Sequence, residues 1–126
     1  MRSVQTILVV DDELAALEVL VAALEDEGYR VLSAGNGRHG LETLVATPVD
    51  LVIVDFMMPL MDGAAMGKAM KARASLSAIP IIMMCAASEA QVRKRFAEYT
   101  AFLRKPFPVS ALIELVHKLL DAPAAP

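Results

Sequence analysis

The chain has no tryptophan, few other aromatic residues and one cysteine. Aromatic residues make up 5% of its 126 residues, too few for a base-stacking surface that binds nucleic acid. The one cysteine, Cys85, excludes an internal disulfide and is typical of a reducing compartment. Hydrophobic residues reach 56%, but no run approaches the ~18 residues of a membrane span. With no signal-peptide pattern at the N-terminus, we expect one cytoplasmic domain that neither enters a membrane nor binds nucleic acid directly.

Charge is distributed unevenly along the chain. The total is −3, yet residues 1–63 carry three basic and eleven acidic side chains, a balance of −8. Residues 64–126 carry nine basic and four acidic side chains, a balance of +5. The basic half contains the run Arg93-Lys94-Arg95. This run is either a solvated helix face, which we favour, or a docking surface for an acidic partner.

Strands and helices are predicted to alternate along the chain. Apolar runs between turn signals predict strands at residues 5–10, 30–34, 50–54, 81–84 and 101–103. Helical periodicity, bounded by capping residues, glycine and proline, predicts helices near residues 13–27, 37–46, 62–74, 88–98 and 108–120. Five such units predict an α/β fold of the flavodoxin-like class, a doubly wound parallel sheet with helices on both faces. The expected strand order is 2-1-3-4-5.

Acidic side chains follow two of the predicted strands. Asp55 comes directly after the run 51–54, and Asp11 and Asp12 come directly after the run 7–10. In the expected strand order these two strands are neighbours, and open α/β sheets bind ligands beyond the carboxyl ends of such strands. Carboxylates suit Mg²⁺, and one of them could act as a nucleophile. The pattern therefore predicts an oxygen-rich metal site centred on Asp55.

Three segments together make the chain resemble the receiver domains of two-component response regulators. The segments are Ile7–Glu13, Asp55–Gly63 and Phe102–Phe107. They occur in the order and spacing of that family, and the resemblance covers nearly the whole chain. It implies a receiver domain at residues 1–121, followed at 122–126 by a flexible tail or the start of a linker.

The resemblance implies a role for each polar residue of these segments. Asp55 would accept a phosphoryl group from a phosphohistidine. Lys105, beside a cis bond to Pro106, would contact the phosphate. The cofactor would be Mg²⁺, with Mn²⁺ as an alternative, held by Asp11 through water and by Asp12, Asp55 and the Met57 carbonyl. Such a protein is a signalling switch that takes part in its own phosphorylation, and not a metabolic enzyme.

The chain departs from the family pattern at the position that couples phosphorylation to movement. Cys85 stands where the family usually has threonine or serine, and a thiol is a weak hydrogen-bond donor. Phe102 stands at the position of the family's switch aromatic. The segment from Cys85 to Lys105 is also about two residues shorter than in many relatives, so that we expect a shifted or frayed fourth helix.

The resemblance implies a histidine kinase or a histidine phosphotransfer protein as the phosphodonor. An output partner of unknown identity would bind through the 85–120 face, and a homodimer stays open. Two alternatives remain. A degenerate receiver would act only as an interaction module with weak switching, which Cys85 favours. A phosphatase with an aspartyl nucleophile would need a second Asp where Met57 stands.

Gly35–Gly40 matches the G-x-G-x-x-G pattern of dinucleotide-binding proteins. We disfavour a dinucleotide site because the chain lacks a second mononucleotide-binding half. The sequence instead predicts that these glycines lie in a loop after the second strand.

Overall fold

Five parallel strands form one sheet in the computed structural model, which describes residues 4–120. The strands are β1 (Thr6–Val10), β2 (Arg30–Ala34), β3 (Leu51–Asp55), β4 (Ile81–Cys85) and β5 (Ala101–Arg104). Their order is β2-β1-β3-β4-β5, and each neighbouring pair is parallel. This confirms the predicted fold class and strand order. The predicted domain end at residue 121 and the tail at 122–126 lie outside the described residues.

A helix follows each strand. The helices are α1 (Leu14–Asp26), α2 (Gly37–Ala46), α3 (Gly63–Lys71), α4 (Glu89–Arg93) and α5 (Val109–Leu120). Three helices begin at a side-chain cap, since Asn36, Asp62 and Ser88 each accept a hydrogen bond from the backbone N–H three residues later. Within residues 4–120, no helix is long and apolar enough to cross a membrane.

Helices cover both faces of the sheet. Helices α2, α3 and α4 pack on one face, called here the α2–α4 face, and α1 and α5 pack on the other, the α1/α5 face. Strands β1, β3 and β4 are buried between them along their whole length. Each is therefore a continuous apolar run and not an alternating one. The buried methionines are divided unequally: Met58, Met66, Met70 and Met83 lie on the α2–α4 face and Met84 on the α1/α5 face.

Most helix and strand ends agree with the prediction to within one residue. Strands β3 and β4 each end one residue later than predicted, at Asp55 and Cys85. Helix α3 ends at Lys71 instead of near Ala74, because the chain continues in tight turns that bury Leu76 against the core.

Helix α4 is much shorter than its periodicity predicts, in agreement with the expectation of a frayed fourth helix. It ends at Arg93, so the prediction of a helix over 88–98 was wrong in its length. The chain turns after the helix because Val92 and Phe96 are both buried, and residues 94–100 must return the backbone to the start of β5. The fourth connection is therefore mostly irregular.

The glycines of the G-x-G-x-x-G match lie partly in a helix, so assigning them all to a loop was wrong. Gly37 and Gly40 belong to the first turns of α2. A Cβ atom at Gly37 would lie 2.5 Å from the backbone oxygen of Met61, and one at Gly40 would lie 2.9 Å from the Met66 side chain. Both glycines therefore permit the close approach of α2 to α3 and to the loop before it.

Gly67→Ala tests the contact between α3 and the segment after α4. A Cβ atom at Gly67 would lie 2.6 Å from a ring carbon of Phe96. We expect the free energy of unfolding to fall by about 1–3 kcal/mol, although helix propensity alone would favour alanine by about 1 kcal/mol. Urea denaturation measures the change. Gly35→Ala is the control, because a Cβ there has no neighbour within 4 Å. An unchanged or raised stability for Gly67→Ala would contradict this packing.

Candidate functional site

Three carboxylates meet at the C-terminal edge of the sheet. Asp11 follows β1 directly, and Asp55 ends β3, the strand that pairs with β1. One oxygen from each of Asp11, Asp12 and Asp55 lies within 4.8 Å of the other two. Asp11 and Asp55 are buried, with 1% and 7% of their surface exposed, whereas Asp12 is exposed. The strand order thus brings together the acidic residues that the sequence singles out.

The ammonium group of Lys105 contacts both buried carboxylates. Its Nζ lies 3.0 Å from Oδ2 of Asp11 and 3.3 Å from Oδ2 of Asp55. Lys105 follows β5, and its backbone N–H donates to the carbonyl oxygen of Cys85 at 2.9 Å. The peptide bond to Pro106 is cis, as the resemblance implies. The segment after β5 thereby places the positive charge of Lys105 beside the C-terminal ends of β1 and β3.

Burial and neighbouring charges shift the pKa values of this group. Burial raises the pKa of the Asp55 carboxyl above its usual value, Lys105 lowers it in part, and Asp11 raises it again. For Lys105, burial alone would lower the pKa, but the contacts with Asp11 and Asp55 raise it overall. Lys105 is therefore charged at neutral pH. Because the folded-state pKa of Asp55 is raised, its ionised form lowers the stability of the fold at neutral pH.

The donors at this edge fit a hard divalent cation. All three side chains offer carboxylate oxygens, and the exposed Asp12 leaves one side open to water. Mg²⁺ commonly binds through one or two carboxylates and keeps several waters. Met57, whose carbonyl was predicted as a further ligand, makes a backbone hydrogen bond to Asp55. The ligand roles of Asp11, Asp12, Asp55 and Met57 stay predictions.

The two predicted switch residues lie on the α2–α4 face of the sheet. Cys85 is fully buried at the end of β4, and its Sγ accepts the backbone N–H of Ala87 at 3.3 Å. The partly buried Phe102 ring lies 6.0 Å, centroid to centroid, from the ring of Tyr99. Tyr99 was not among the predicted residues of this group, although the cluster of aromatic residues at 96–102 was an available signal. The switching roles of Cys85 and Phe102 stay predictions.

The β3–α3 loop, residues 56–62, borders Asp55 and has an unusual backbone. Leu60 has a φ of 68°, in the left-handed region that favours glycine and asparagine. Its side chain is also 85% exposed, and that of Met57 is 65% exposed. The loop therefore holds one residue in an unfavourable conformation while presenting large apolar side chains to solvent.

Arg95, which was not among the predicted site residues, contacts both ends of this loop. Its Nη1 lies 2.7 Å from Oδ2 of Asp62, and its guanidinium carbon lies 5.3 Å from the centroid of the Phe56 ring. All three residues of the basic run are exposed, as a solvated surface predicts, but Arg95 lies beyond the end of α4 and is paired with Asp62. No spacing rule predicts this pair, because its members are 33 residues apart.

The chain belongs to the family of response regulator receiver domains. The family model for the response regulator receiver domain matches residues 7–117. This match includes the strand ends that carry Asp11 and Asp55 and the residue Lys105. The class works in two-component systems, where receivers interact with histidine kinases and output domains.

Similar proteins agree with this assignment. A probable transcriptional regulatory protein of Picosynechococcus sp. is 35% identical over 123 residues, which are 90% of this chain and 48% of that protein. The signal receiver domain of a Syntrophus aciditrophicus histidine kinase is 32% identical, with a TM-score of 0.87, over 97% of this chain and 94% of its own. The response regulator TrrA of Thermotoga maritima, solved in complex with Mg²⁺-BeF, is 32% identical, with a TM-score of 0.83. The match covers 92% of this chain and 99% of that one. This chain spans about half the length of several matched regulators.

Thermal unfolding tests the metal site. We expect Mg²⁺ at ten times its dissociation constant to stabilise the fold by about 1.4 kcal/mol, because it offsets repulsion among the carboxylates. For a domain of this size, that raises the melting temperature by about 5 °C. Asp12→Ala should lose most of the increase, and NaCl at equal ionic strength is the control for screening. A melting temperature indifferent to millimolar Mg²⁺ would count against the site.

Proposed function

We propose that this chain is a phosphoacceptor receiver that takes a phosphoryl group from a phosphohistidine onto Asp55 with Mg²⁺. The observation that carries the proposal is the position of Lys105, whose Nζ lies 3.3 Å from one Asp55 oxygen and 3.0 Å from Asp11. A structural ion pair alone does not need a third carboxylate, yet Asp12 stands at the exposed side of the same cluster. This arrangement suits a group that gains negative charge during reaction.

The transfer mainly requires positioning and charge neutralisation. A carboxylate oxygen of Asp55 forms a bond to phosphorus while the bond from phosphorus to the histidine nitrogen breaks. The imidazole keeps that electron pair and takes up a proton as it leaves. Lys105 is charged and already within contact distance, so it can stabilise the phosphoryl oxygens. Asp12, Asp55 and the Met57 carbonyl, with Asp11 through water, would hold Mg²⁺, which would supply further neutralisation of this charge.

Large apolar side chains around the site support a protein as the phosphodonor. The exposed ones nearest the acidic strand ends lie on α1 and the β3–α3 loop: Leu14, Val19, Met57 and Leu60. A groove lined by Val19, Leu20 and Phe107 also extends to Lys105. A small-molecule phosphodonor would not contact these exposed apolar side chains. A histidine kinase or histidine phosphotransfer protein would cover these side chains. The free Cys85 suits the reducing cytoplasm in which such proteins meet.

Phosphorylation would then change the surface offered to an output partner, in part through the 85–120 face. A phosphoryl group adds about −1.5 to −2 charges beside buried carboxylates. Lys105 would be drawn toward this charge, and its backbone N–H is bonded to the carbonyl of Cys85. Movement of the group formed by Cys85 and Phe102 would carry the change to α4 and β5. Homodimer formation is a further outcome that this face could support.

Intact-mass measurement tests the phosphoacceptor. With acetyl phosphate and Mg²⁺, the wild type should gain one phosphoryl group, because the donor set and Lys105 are in place. Asp55→Asn should gain none at this site, and Asp12→Ala should react more slowly. Labelling of Asp55→Asn at the wild-type rate would show that the nucleophile is misassigned. No labelling of the wild type would favour the degenerate receiver that acts only as an interaction module.

Cys85→Thr and Cys85→Ser test the switch. Replacing a hydroxyl donor by a thiol weakens a hydrogen bond by about 1 kcal/mol, roughly a fivefold change in the ratio of active to inactive forms. A ligand shifts such an equilibrium only by its differential affinity. We therefore expect beryllofluoride to cause larger amide shifts near Phe102 in both variants than in the wild type, at equal occupancy of Asp55. Equal shifts in all three proteins would mean that the thiol is an adequate substitute.

A further inference from the structure

Arg95 joins the two ends of the β3–α3 loop. At the start of the loop, its guanidinium lies over the ring of Phe56, the residue after Asp55. At the end, it forms an ion pair with Asp62, whose other oxygen accepts the N–H of Ala65 and caps α3. The residues between these ends include Met57, whose carbonyl is the predicted metal ligand. One side chain thus bridges the loop on which that carbonyl lies.

Backbone hydrogen bonds hold the loop at its base and on its far side. The N–H of Gly63 donates to the carbonyl of Phe56 at 2.9 Å, and the carbonyl of Met61 accepts the N–H of Gly37. Between these contacts, Leu60 has a left-handed backbone conformation, and the N–H of Met61 donates across it to the carbonyl of Pro59 at 2.8 Å. Arg95 adds side-chain contacts at both ends of this strained segment. A leucine there relaxes readily to another conformation unless neighbouring contacts oppose it.

The short fourth helix explains how Arg95 reaches this loop. Helix α4 begins four residues after β4 ends and has five residues, Glu89–Arg93. At 1.5 Å per residue it advances about 7.5 Å. The chain leaves the helix after Arg93, so Arg95 lies in the turn that follows it, where its side chain contacts Asp62 and Phe56 of the β3–α3 loop.

We propose that Arg95 is a positioning residue: it holds the β3–α3 loop in the conformation that binds Mg²⁺ and so couples metal binding to residues 94–98. The inference rests on the proposed function, because it assumes that Mg²⁺ binds at Asp55. The proposal adds Arg95 to the residues that support the metal site. The coupling through Arg95 would run along the surface of the α2–α4 face. This route is separate from the buried path through Cys85 and Phe102.

Charge alone and loop positioning predict opposite changes in Mg²⁺ affinity when Arg95 is replaced by alanine. The direction of that change therefore decides between them. Arg95→Ala removes a positive charge near an acidic site, and that change alone would tighten Mg²⁺ binding. If Arg95 positions the loop, its loss weakens Mg²⁺ binding instead. The Arg95 side chain is 52% exposed. Exposed ion pairs are weak, so we expect an increase of about threefold to fivefold in the dissociation constant.

The experiment is a Mg²⁺ titration followed by amide shifts in NMR spectra, at a temperature well below unfolding. Wild type, Arg95→Ala and Arg95→Lys are compared with Lys94→Ala, which removes the same charge from the exposed neighbouring position. We expect weaker binding for Arg95→Ala and an intermediate effect for Arg95→Lys, which keeps the charge but loses the guanidinium group that lies over Phe56. Lys94→Ala should bind Mg²⁺ as well as the wild type or more tightly. Unchanged or tighter binding by Arg95→Ala overturns the proposal.

Thermodynamic reciprocity supplies a second readout that a purely structural role would not change. If Arg95 favours metal binding, then metal binding must favour the Arg95 contacts by the same factor. Saturating Mg²⁺ should therefore slow amide hydrogen exchange at residues 94–98 in the wild type by about threefold to fivefold, as in the titration. It should not do so in Arg95→Ala. Equal slowing in both proteins would refute the coupling.

The failure of this proposal is distinguishable from failure of the proposed function. Neither readout requires phosphorylation. A wild type that binds no Mg²⁺ at Asp55 overturns both the metal-dependent function and the role of Arg95. A wild type that binds Mg²⁺ and accepts a phosphoryl group, together with an Arg95→Ala variant that binds Mg²⁺ equally, overturns the role of Arg95 alone.

Discussion

The structure depends on one charge balance, that of Lys105 with Asp11 and Asp55. Two buried carboxylates at the ends of adjacent strands repel each other and lose hydration, and the ammonium group that contacts both offsets part of this cost. The balance requires three strands at once. Strands β1 and β3 must be neighbours, and the segment after β5 must return over the same edge. The topology of the sheet is therefore also the means by which the site is assembled.

Much of this assembly could be predicted because the relevant physics is local in sequence. Strands that are buried on both faces appear as continuous apolar runs, and acidic residues at their ends mark the functional edge. The strand order and the identity of the clustered residues follow from these two signals together. The element ends differ by a single residue in most cases, as for Asp55, which belongs to β3, because pairing with β4 continues to that residue.

Two of the missed features depend on contacts between distant parts of the chain. The length of α4 is decided by the burial of Val92 and Phe96, and helical periodicity alone cannot show where the chain must turn back. The pairing of Arg95 with Asp62 joins residues 33 positions apart, so no local pattern reveals it. The positive φ of Leu60 could not be predicted from the sequence either, because leucine normally avoids this conformation and the surrounding loop imposes it.

The unequal division of the buried methionines gives the two sides of the sheet different mechanical stiffness. The α1/α5 face is packed mainly with leucine, isoleucine and valine, whose branched side chains have few alternative rotamers. The α2–α4 face contains four buried methionines, whose unbranched thioethers can refill space after a small displacement. Helices α3 and α4 therefore rest on the more compliant side. Displacements that begin at the edge of the sheet will be absorbed there, while α1 and α5 act as a rigid support.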